Sequence, residues 1–274
     1  MNNKPAFRAF ITWKTMPIFT PAKVQFYKNP MKQFLFFILI LMIPFSGFTQ
    51  EMLNKKDAAG RRQGHWIKLD TAGRKVYEGQ FKNNIPQGTF KYYFPGGSMK
   101  AVSVFSEDGK TTTTTTYFPT GKKNAEGKYG NEKREGLWRF FSEFDESLVS
   151  EEIYKAGKKN GTAKTYFAGK TVAELITWKE GLREGSWMQY FDDGTVKLQG
   201  AYKNDLKEGP ITVFYPTGQK FNTGQYLNGY PDGKWFTYDL DGKLLSTDIY
   251  DHGVLIKTDK TPEPPKTEIK VEEK

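Results

Sequence analysis

The sequence contains no cysteine and only two histidines, His65 and His252. Without cysteine the chain has no disulfide bond, no thiolate metal ligand, no cysteine nucleophile and no lipidated cysteine. Two isolated histidines, far apart in the sequence, argue against a histidine-built metal centre. We therefore expect neither a metal nor any other cofactor.

Aliphatic residues are also scarce, whereas aromatic residues and glycine are abundant. Hydrophobic residues make up 37% of the chain and aromatic residues 16%, and 27 of the 274 residues are glycine. A chain of this length can form one large domain or two small ones. Its core must be built mainly from aromatic rings.

Acidic residues are absent from positions 1–50, which hold six of the 41 lysines and arginines. The formal charge is +10 for the whole chain, and only +4 for the part after residue 50. Much of the basicity therefore lies in this leader and not on a groove that could follow a phosphate backbone. We expect no nucleic-acid partner.

The leader has the pattern of a secretion signal that starts at Met31. Lys32 supplies the positive charge, residues 34–45 form an apolar run, and residues 46–50 form a short exit of small and polar residues. Residues 1–30 then read as untranslated or dispensable sequence. The pattern predicts an exported protein that is periplasmic, on the outer surface or secreted.

Two other interpretations of the apolar run stay open. It could be a buried helix of the fold, although polar, turn-rich sequence follows it directly. It could also be a retained membrane anchor, although it is short for a span of about 20 residues. If the signal is cleaved, the processed form begins near Gln50 or Glu51.

The rest of the chain is a tandem repeat. A marker glycine recurs every 24 or 25 residues, which gives eight units between residues 62 and 254. The fifth position after the marker is Leu69 in unit one and a ring in every later unit. A second ring follows seventeen positions after the marker, or eighteen in unit four. The markers are Gly64, Gly88, Thr112 in place of a glycine, Gly136, Gly161, Gly185, Gly209 and Gly233.

Each unit carries a turn signal near its ninth position, such as Asp193 and Gly194, and a second turn signal leads to the next unit. Such pairs tolerate the positive φ angles of two-residue hairpin loops. Each unit is therefore predicted to be a β-hairpin with a two-residue loop. In that register, residues whose positions after the marker sum to seventeen face each other. Unit four has one extra residue near Phe144, which predicts a longer loop.

This register pairs each glycine with a large side chain on one face of the hairpin. Trp187 faces Gly200, and Tyr202 faces Gly185. A ring that covers the bare backbone of a glycine in the paired strand stabilises a sheet, an arrangement called aromatic rescue. We therefore predict a structural role for these residues. The same square in unit one consists of Gly64, Trp66, Gly79 and Phe81.

Residues 77–83 (YEGQFKN) followed by residues 87–90 (QGTF) resemble the MORN repeat, and the looser units resemble its bacterial variant class. The resemblance extends over all eight units. It implies an all-β fold, an elongated single-layer antiparallel sheet of consecutive hairpins. It also implies roles in protein scaffolding, lipid association or antitoxin-like immunity, and no shared catalytic residues.

The rings at the fifth position fall on the opposite face of the predicted sheet and form a candidate binding site. Their predicted cross-strand neighbours include lysines, Lys100 for Tyr93 and Lys197 for Tyr190. A row of rings flanked by lysines can dock a polypeptide, a glycan strand or lipid headgroups. The same rings could instead only pack on one another to cover a thin sheet. The candidate residues are Tyr93, Tyr117, Phe141, Tyr166, Tyr190, Phe214 and Tyr238.

Clustered carboxylates suggest an alternative function, a cell-envelope enzyme that acts on glycans. Asp192 and Asp193 fall in a predicted loop, and Glu151 and Glu152 point to opposite faces of a strand. Neither pair converges as an acid and a base. We therefore predict no catalytic residue and no enzyme.

Taken together, these patterns predict an exported, non-catalytic repeat protein that binds a protein partner or an envelope glycan or lipid. An antitoxin-like immunity protein with a toxin as its partner is a narrower form, which rests on the resemblance alone. Residues 257–274 contain three prolines and balanced charges, which predicts a disordered tail.

Overall fold

The computed structural model of the chain describes residues 52–168 and 170–262. The predicted signal segment, the sequence before it and residues 263–274 of the predicted tail lie outside the described residues. None of the described residues belongs to a helix long and apolar enough to cross a membrane.

Within residues 52–168 and 170–262, twenty strands form one open antiparallel sheet of consecutive hairpins, so the predicted all-β fold is confirmed. The two-residue strands β10 and β15 each pair on one side. The strands β10 and β11 both pair with β9, and β15 and β16 both pair with β14. The strands are β1 (Lys55–Lys56), β2 (Arg62–Leu69), β3 (Lys75–Lys82), β4 (Ile85–Tyr93), β5 (Met99–Phe105), β6 (Thr111–Tyr117), β7 (Lys123–Gly130), β8 (Lys133–Phe141), β9 (Leu148–Lys155), β10 (Lys158–Lys159), β11 (Gly161–Tyr166), β12 (Val172–Lys179), β13 (Leu182–Tyr190), β14 (Val196–Lys203), β15 (Leu206–Lys207), β16 (Gly209–Phe214), β17 (Lys220–Leu227), β18 (Tyr230–Tyr238), β19 (Leu244–Asp251) and β20 (Val254–Lys260).

The last strand corrects the start of the predicted tail. Residues 257–260 belong to β20, where Lys257 pairs with Ile249 and Asp259 with Thr247 of β19. This stretch contains no proline, which would interrupt a strand. The first proline of the tail is Pro262, so the strand can continue to Lys260.

The loops inside the units contain three residues, not two as predicted. In unit two the Phe94 N–H donates to the Ser98 carbonyl, and the Gly97 N–H donates back to the Phe94 carbonyl. Gly97 has a φ of 86°. A turn followed by one left-handed residue is the common three-residue hairpin loop. The longer loop predicted for unit four is present, since Ser142 there bonds to Ser147.

Two-residue loops occur instead between units, except between β5 and β6, where Ser106 bonds Thr111 across a longer loop. Asn204 and Asp205, for example, have φ angles of 50° and 68°, as the mirror-image turn of a tight hairpin requires. Glu184, just before the marker glycine of unit six, accepts a 2.8 Å hydrogen bond from the Asn204 N–H and braces this turn.

A β-bulge at the fifth position accompanies the loop in every unit, including the longer loop of unit four. In unit two Tyr92 pairs with Ala101, whereas Tyr93 pairs with Met99. The predicted pairing of Tyr93 with Lys100 is therefore wrong, because Lys100 is the extra residue of the bulge.

Unit six repeats this correction. Tyr190 pairs with Val196, and the predicted neighbour Lys197 is displaced. The Lys197 ammonium lies 5.9 Å from the centre of the Phe191 ring, at the start of the loop. The bulge thus turns a lysine away from the ring row and towards the hairpin tip.

The core lies on the face of the sheet that carries the predicted sets of two glycines and two large side chains. Between the marker glycine and the bulge, the strands pair in the predicted register. Trp187 pairs with Gly200 and Gly185 with Tyr202. Gly64 pairs with Phe81 and Trp66 with Gly79 in unit one. The most buried large side chain of the described residues is Trp138, which is 1% exposed. Other buried residues on this face are Phe81, Phe90, Ser103, Thr114, Ala125, Tyr154, Trp187, Tyr202 and Ile211.

The marker glycines do not need a covering ring, which corrects the prediction of aromatic rescue at that position. Gly64 has a φ of 67°, and a Cβ added there would meet nothing within 4 Å. Beside a marker glycine the register between units shifts by two residues, as it does between Glu78 and Gln80. Between β5 and β6, where Thr112 replaces the marker, the ladder has no shift. The marker glycine therefore supplies the backbone conformation of a bulge.

The second glycine of a unit is the one that a ring covers. A Cβ at Gly127 would lie 2.4 Å from the ring of Trp138, which belongs to the next unit. At Gly200 the closest side chain is Trp187 of the same unit, at 3.3 Å. Rings that reach across unit boundaries make each hairpin depend on its neighbour. Gly79 beneath Phe90 and Gly224 beneath Trp235 repeat the arrangement of Gly127.

Candidate binding face

All seven predicted rings are half-buried and stand at the bulges, on the side of the sheet away from the core. We call this side the ring face and define it by Tyr93, Tyr117, Phe141, Tyr166, Tyr190, Phe214 and Tyr238. Tyr93 shows which side of the sheet this is. Its hydroxyl donates to Glu78, and the residues next to Glu78 along β3 face the core, so Glu78 and Tyr93 lie on the opposite side.

One row of side chains runs along the ring face, and each member pairs with the next across the strands. In its first half, six of nine residues are charged and acids alternate with bases, whereas its second half, up to Thr247, holds no charged residue; Asp259 of β20 then pairs with Thr247. The first half consists of Ile67, Glu78, Lys91, Val102, Thr115, Glu126, Arg139, Glu151 and Lys164. The second half consists of Leu175, Met188, Gln199, Thr212, Thr223, Phe236 and Thr247.

In the first half the rings are tied to these charges. The Tyr93 hydroxyl donates to the Glu78 carboxylate, and the Lys75 ammonium lies 2.8 Å from the same carboxylate. Lys75 also lies 5.2 Å from the centre of the Tyr93 ring. Burial and the bond to Glu78 raise the pKa of Tyr93 to about 12. The bonds from Lys75 and Tyr93 lower the pKa of Glu78.

The same contact recurs three units later. The Tyr166 hydroxyl donates to Glu151 at 2.8 Å, and Arg139 Nε donates to the other oxygen of that carboxylate at 3.0 Å. Burial and the bond to Glu151 raise the pKa of Tyr166 to about 12. Burial opposes ionisation of Glu151, but the bonds from Tyr166 and Arg139 outweigh it and lower its pKa. Arg139 also lies 3.8 Å from Glu126, so the ion pairs form a short network.

In the second half the rings have no such partners. In the first half Glu78 lies beside Tyr93 and Glu151 beside Tyr166. The equivalent positions in the second half are held by the uncharged residues Leu175, Gln199 and Thr223. Across the described part of the chain, no hydroxyl of a second-half ring bonds a carboxylate; Tyr190 contacts only the sulfur of Met188, at 3.6 Å. The half-buried rings Tyr190, Phe214 and Tyr238 and the row beside them form what we call the neutral patch.

The sequence analysis missed a column of cations on the core face. These residues stand two positions before the marker and lie over core rings, an arrangement that favours burial of the rings. Their shared position in the repeat was the sequence signal that could have revealed these cations. The pairs are Arg62 with Phe81 at 3.8 Å, Arg134 with Trp138 at 4.6 Å, Lys159 with Trp178 at 4.7 Å, Arg183 with Tyr202 at 4.3 Å and Lys207 with Tyr226 at 4.9 Å.

The carboxylates singled out from the sequence do not converge. Glu151 bonds Arg139 on the ring face, whereas Glu152 lies 2.7 Å from the Lys159 ammonium on the core face. Asp193 accepts a 2.8 Å hydrogen bond from the Thr195 N–H within its loop. These contacts are those of structural side chains.

Asp232, Asp251 and His252 offer three potential ligand atoms within 4.8 Å of one another. Asp232 stands just before the marker glycine, and it accepts a 3.3 Å hydrogen bond from the His252 N–H, as Glu184 does from Asn204 in unit six. The Nδ1–H of His252 donates to the Asp251 carboxylate at 2.6 Å, and this contact raises the pKa of His252. Turn bracing within the repeat accounts for the group.

This architecture defines the chain as a tandem β-hairpin repeat protein whose units interlock through their rings. Two of these units match the profile of the MORN repeat variant, at residues 183–204 and 231–252. These segments cover most of the β13–β14 and β18–β19 hairpins.

Searches among known proteins found weaker likenesses. A TarM variant from S. aureus, solved in complex with fondaparinux, alpha-GlcNAc-glycerol and UDP, is 13% identical over 35% of this chain and 20% of TarM, with a TM-score of 0.27. The TcdB2–TccC3 structure is 10% identical over 74% of this chain and 14% of that one, with a TM-score of 0.20. The chain thus spans a fifth or less of these proteins. No curated protein matches it.

Proposed function

We propose that this chain is an exported, non-catalytic scaffold that binds a protein partner through the neutral patch of the ring face. Its MORN-type repeats are of a kind that often serves binding. The observation that carries the proposal is the change along the ring face from paired charges to uncharged side chains beside half-buried rings. Export rests on the signal pattern of residues 31–50.

The composition of the neutral patch suits the centre of a protein interface. Such centres are depleted in charge and enriched in tyrosine, phenylalanine and methionine. Tyrosine and phenylalanine provide a large contact area, and the tyrosine hydroxyl adds a hydrogen bond. The row beside the rings supplies threonine and glutamine, which can donate and accept hydrogen bonds without the cost of burying an ion.

The first half of the ring face is less suited to this role. Its phenols and carboxylates already satisfy one another, as Tyr93 and Glu78 do. A partner that covered them would have to bury the ion pairs or break them, and either carries a desolvation cost. We therefore assign the docking of the partner to Tyr190, Phe214 and Tyr238.

The experiment begins with the processed form, starting near Glu51, purified from the source cells with whatever protein it retains. Once that protein is identified and purified, its dissociation constant is measured by calorimetry against the wild type and two double variants. Tyr190→Ala with Phe214→Ala removes two rings of the neutral patch and should weaken binding at least about tenfold, as loss of buried aromatic anchors does. Tyr117→Ala with Phe141→Ala is the matched control from the first half and should weaken it less than about threefold.

Each variant is checked by denaturant unfolding, so that a loss of binding is not a loss of the fold. Equal weakening by the two double variants would contradict the assignment to the neutral patch. A protein partner that binds both variants as tightly as the wild type would contradict docking on the ring face. A toxin as the retained protein would support the antitoxin-like form, and retention of glycan or lipid alone would replace the protein partner.

A glycan-acting enzyme would behave differently. Its activity would be lost when one carboxylate is replaced by the corresponding amide, while the ring variants would retain activity. Incubation of the chain with envelope glycans tests this directly, and cleavage that depends on a single carboxylate would overturn the non-catalytic proposal.

A further inference from the structure

The two edges of the sheet differ in whether side chains bond the backbone groups of the outer strands. At the first edge the Asn54 side chain bonds both backbone groups of Ile67 on β2, as a neighbouring strand would: Nδ2 donates to the carbonyl at 3.1 Å and Oδ1 accepts from the N–H at 2.8 Å. At the other edge β20 pairs only with β19 within residues 52–262. An edge strand without cover is a template for another strand.

Exposed aliphatic side chains mark this second edge. Val254, Leu255 and Ile256 are 63%, 51% and 61% exposed. Edge strands usually carry charges or proline to discourage pairing. Three consecutive aliphatic residues at the start of β20 favour pairing instead.

The hydrogen bonds of β20 show which residues can receive a further strand. The Thr261 N–H donates to the Leu245 carbonyl at 2.8 Å. Bonded pairs alternate along an antiparallel ladder, so the backbone groups of Asp259 and Lys257 face β19 and those of Thr258 face outward. A new antiparallel strand can therefore pair through Thr258.

The charges on β20 indicate what that strand is. Lys257 and Asp259 lie on one side of the strand, 2.7 Å apart and more than half exposed. We propose that β20 pairs edge to edge with β20 of a second copy, antiparallel about a two-fold axis at Thr258. This register places Lys257 opposite Asp259 of the second copy, and the symmetry forms that contact twice.

The neighbouring symmetric register is disfavoured. An axis at Lys257 would set two lysines opposite each other and would use backbone groups that already bond β19. The ladder centred on Thr258 is short, because the bulge at Ile256 interrupts β20 on one side and Pro262, which has no N–H to donate, follows on the other.

Analytical ultracentrifugation of the purified full chain over a range of concentrations tests the proposal. The wild type should form a dimer. Lys257→Asp and Asp259→Lys should each weaken the dimer at least about tenfold, because each sets like charges opposite one another twice. The double variant with both changes restores opposite charges and should return the dissociation constant to within about threefold of the wild type.

Thr258→Pro provides a second measurement that leaves the backbone hydrogen bonds between β20 and β19 in place and removes only the side-chain bond from the Thr258 hydroxyl to Asp248. Proline is tolerated where an edge N–H points to solvent, so the fold should persist while the dimer is lost. A wild type that stays monomeric, charge reversals without effect, or a dimer that survives Thr258→Pro would each overturn the proposal. These variants do not change Tyr190, Phe214 or Tyr238, and sedimentation of the chain alone needs no partner, so this experiment and the partner-binding experiment fail independently.

Discussion

The two halves of the ring face are built on the same repeat but use different chemistry. From Glu78 to Lys164 the row contains acids and bases that neutralise one another, and the phenols of Tyr93 and Tyr166 are bound into that pattern. From Leu175 to Thr247 the row is uncharged. The core face changes much less between the halves. The repeat therefore fixes the core side chains and leaves the opposite face free to vary.

This difference has a physical origin in the bulges. On the core face the rings are buried, and in four units one of them lies on the second glycine, so a change of residue there alters packing at once. At and beyond the fifth position, the ring-face side chains are half exposed. Their substitution costs little, and function rather than folding can select them.

The largest predicted effect tests whether the halves share one kind of core. Trp138→Ala in the first half and Trp187→Ala in the second should each lower the free energy of unfolding by about 3 to 5 kcal/mol, because each removes a buried ring from above a glycine. Denaturant unfolding of the purified variants measures the loss.

Phe141→Ala is the control for Trp138→Ala, since Phe141 belongs to the same unit but to the ring face. Its loss should stay near 1 kcal/mol, in line with partial burial of the ring. A loss as large as that of Trp138→Ala, or a loss below about 1 kcal/mol for either tryptophan, would break the distinction between the faces.

A smaller effect should separate the halves themselves. Arg139→Glu places a third acid between Glu126 and Glu151 and should cost about 1 to 2 kcal/mol of stability, because two opposite-charge contacts become like-charge contacts. Thr212→Glu adds the same charge at the matching place of the uncharged half and should cost less than about 0.5 kcal/mol. Unfolding in urea at low salt measures both.

Salt provides the control for this pair of variants. Because the exposed charges are screened, the cost of Arg139→Glu should fall as sodium chloride is raised, and that of Thr212→Glu should not change. An equal cost in both halves, or a cost of Arg139→Glu that is independent of salt, would show that the alternating charges do not hold the first half together.

Much of the fold could be predicted from the sequence because the length of the repeat is nearly constant. Counting from the marker glycine was enough to pair Trp187 with Gly200 and to find the longer loop of unit four. The count failed at Tyr93, where one left-handed glycine lengthens the loop and a bulge absorbs the difference. A dipeptide such as Asp193 and Gly194 fits either loop length, so the sequence signal was ambiguous.

The purpose of the marker glycines was harder to predict. A glycine opposite a ring suggests a bare backbone that needs cover, and this is true of Gly127 but not of Gly64. The informative exception was Thr112, whose ladder is continuous because threonine does not favour the positive φ of the bulge. The change along the ring face needed the three-dimensional pairing, since its members lie 11 to 13 residues apart and each comes from a different strand.

The smallest predicted effect concerns the phenols of the first half. Tyr93 and Tyr166 have a folded-state pKa raised from 10.0 to about 12, so the stability that they contribute is complete below pH 10 and is lost as the pH rises towards 12. Absorbance of tyrosinate, followed as the pH is raised, should lose its highest component when both are changed to phenylalanine. Glu78→Gln with Glu151→Gln keeps both rings and should instead move that component towards pH 10, because the neighbouring negative charges are gone. If the amide variants titrate like the wild type, the carboxylates do not hold these phenols, and the first half of the ring face is as open to a partner as the second.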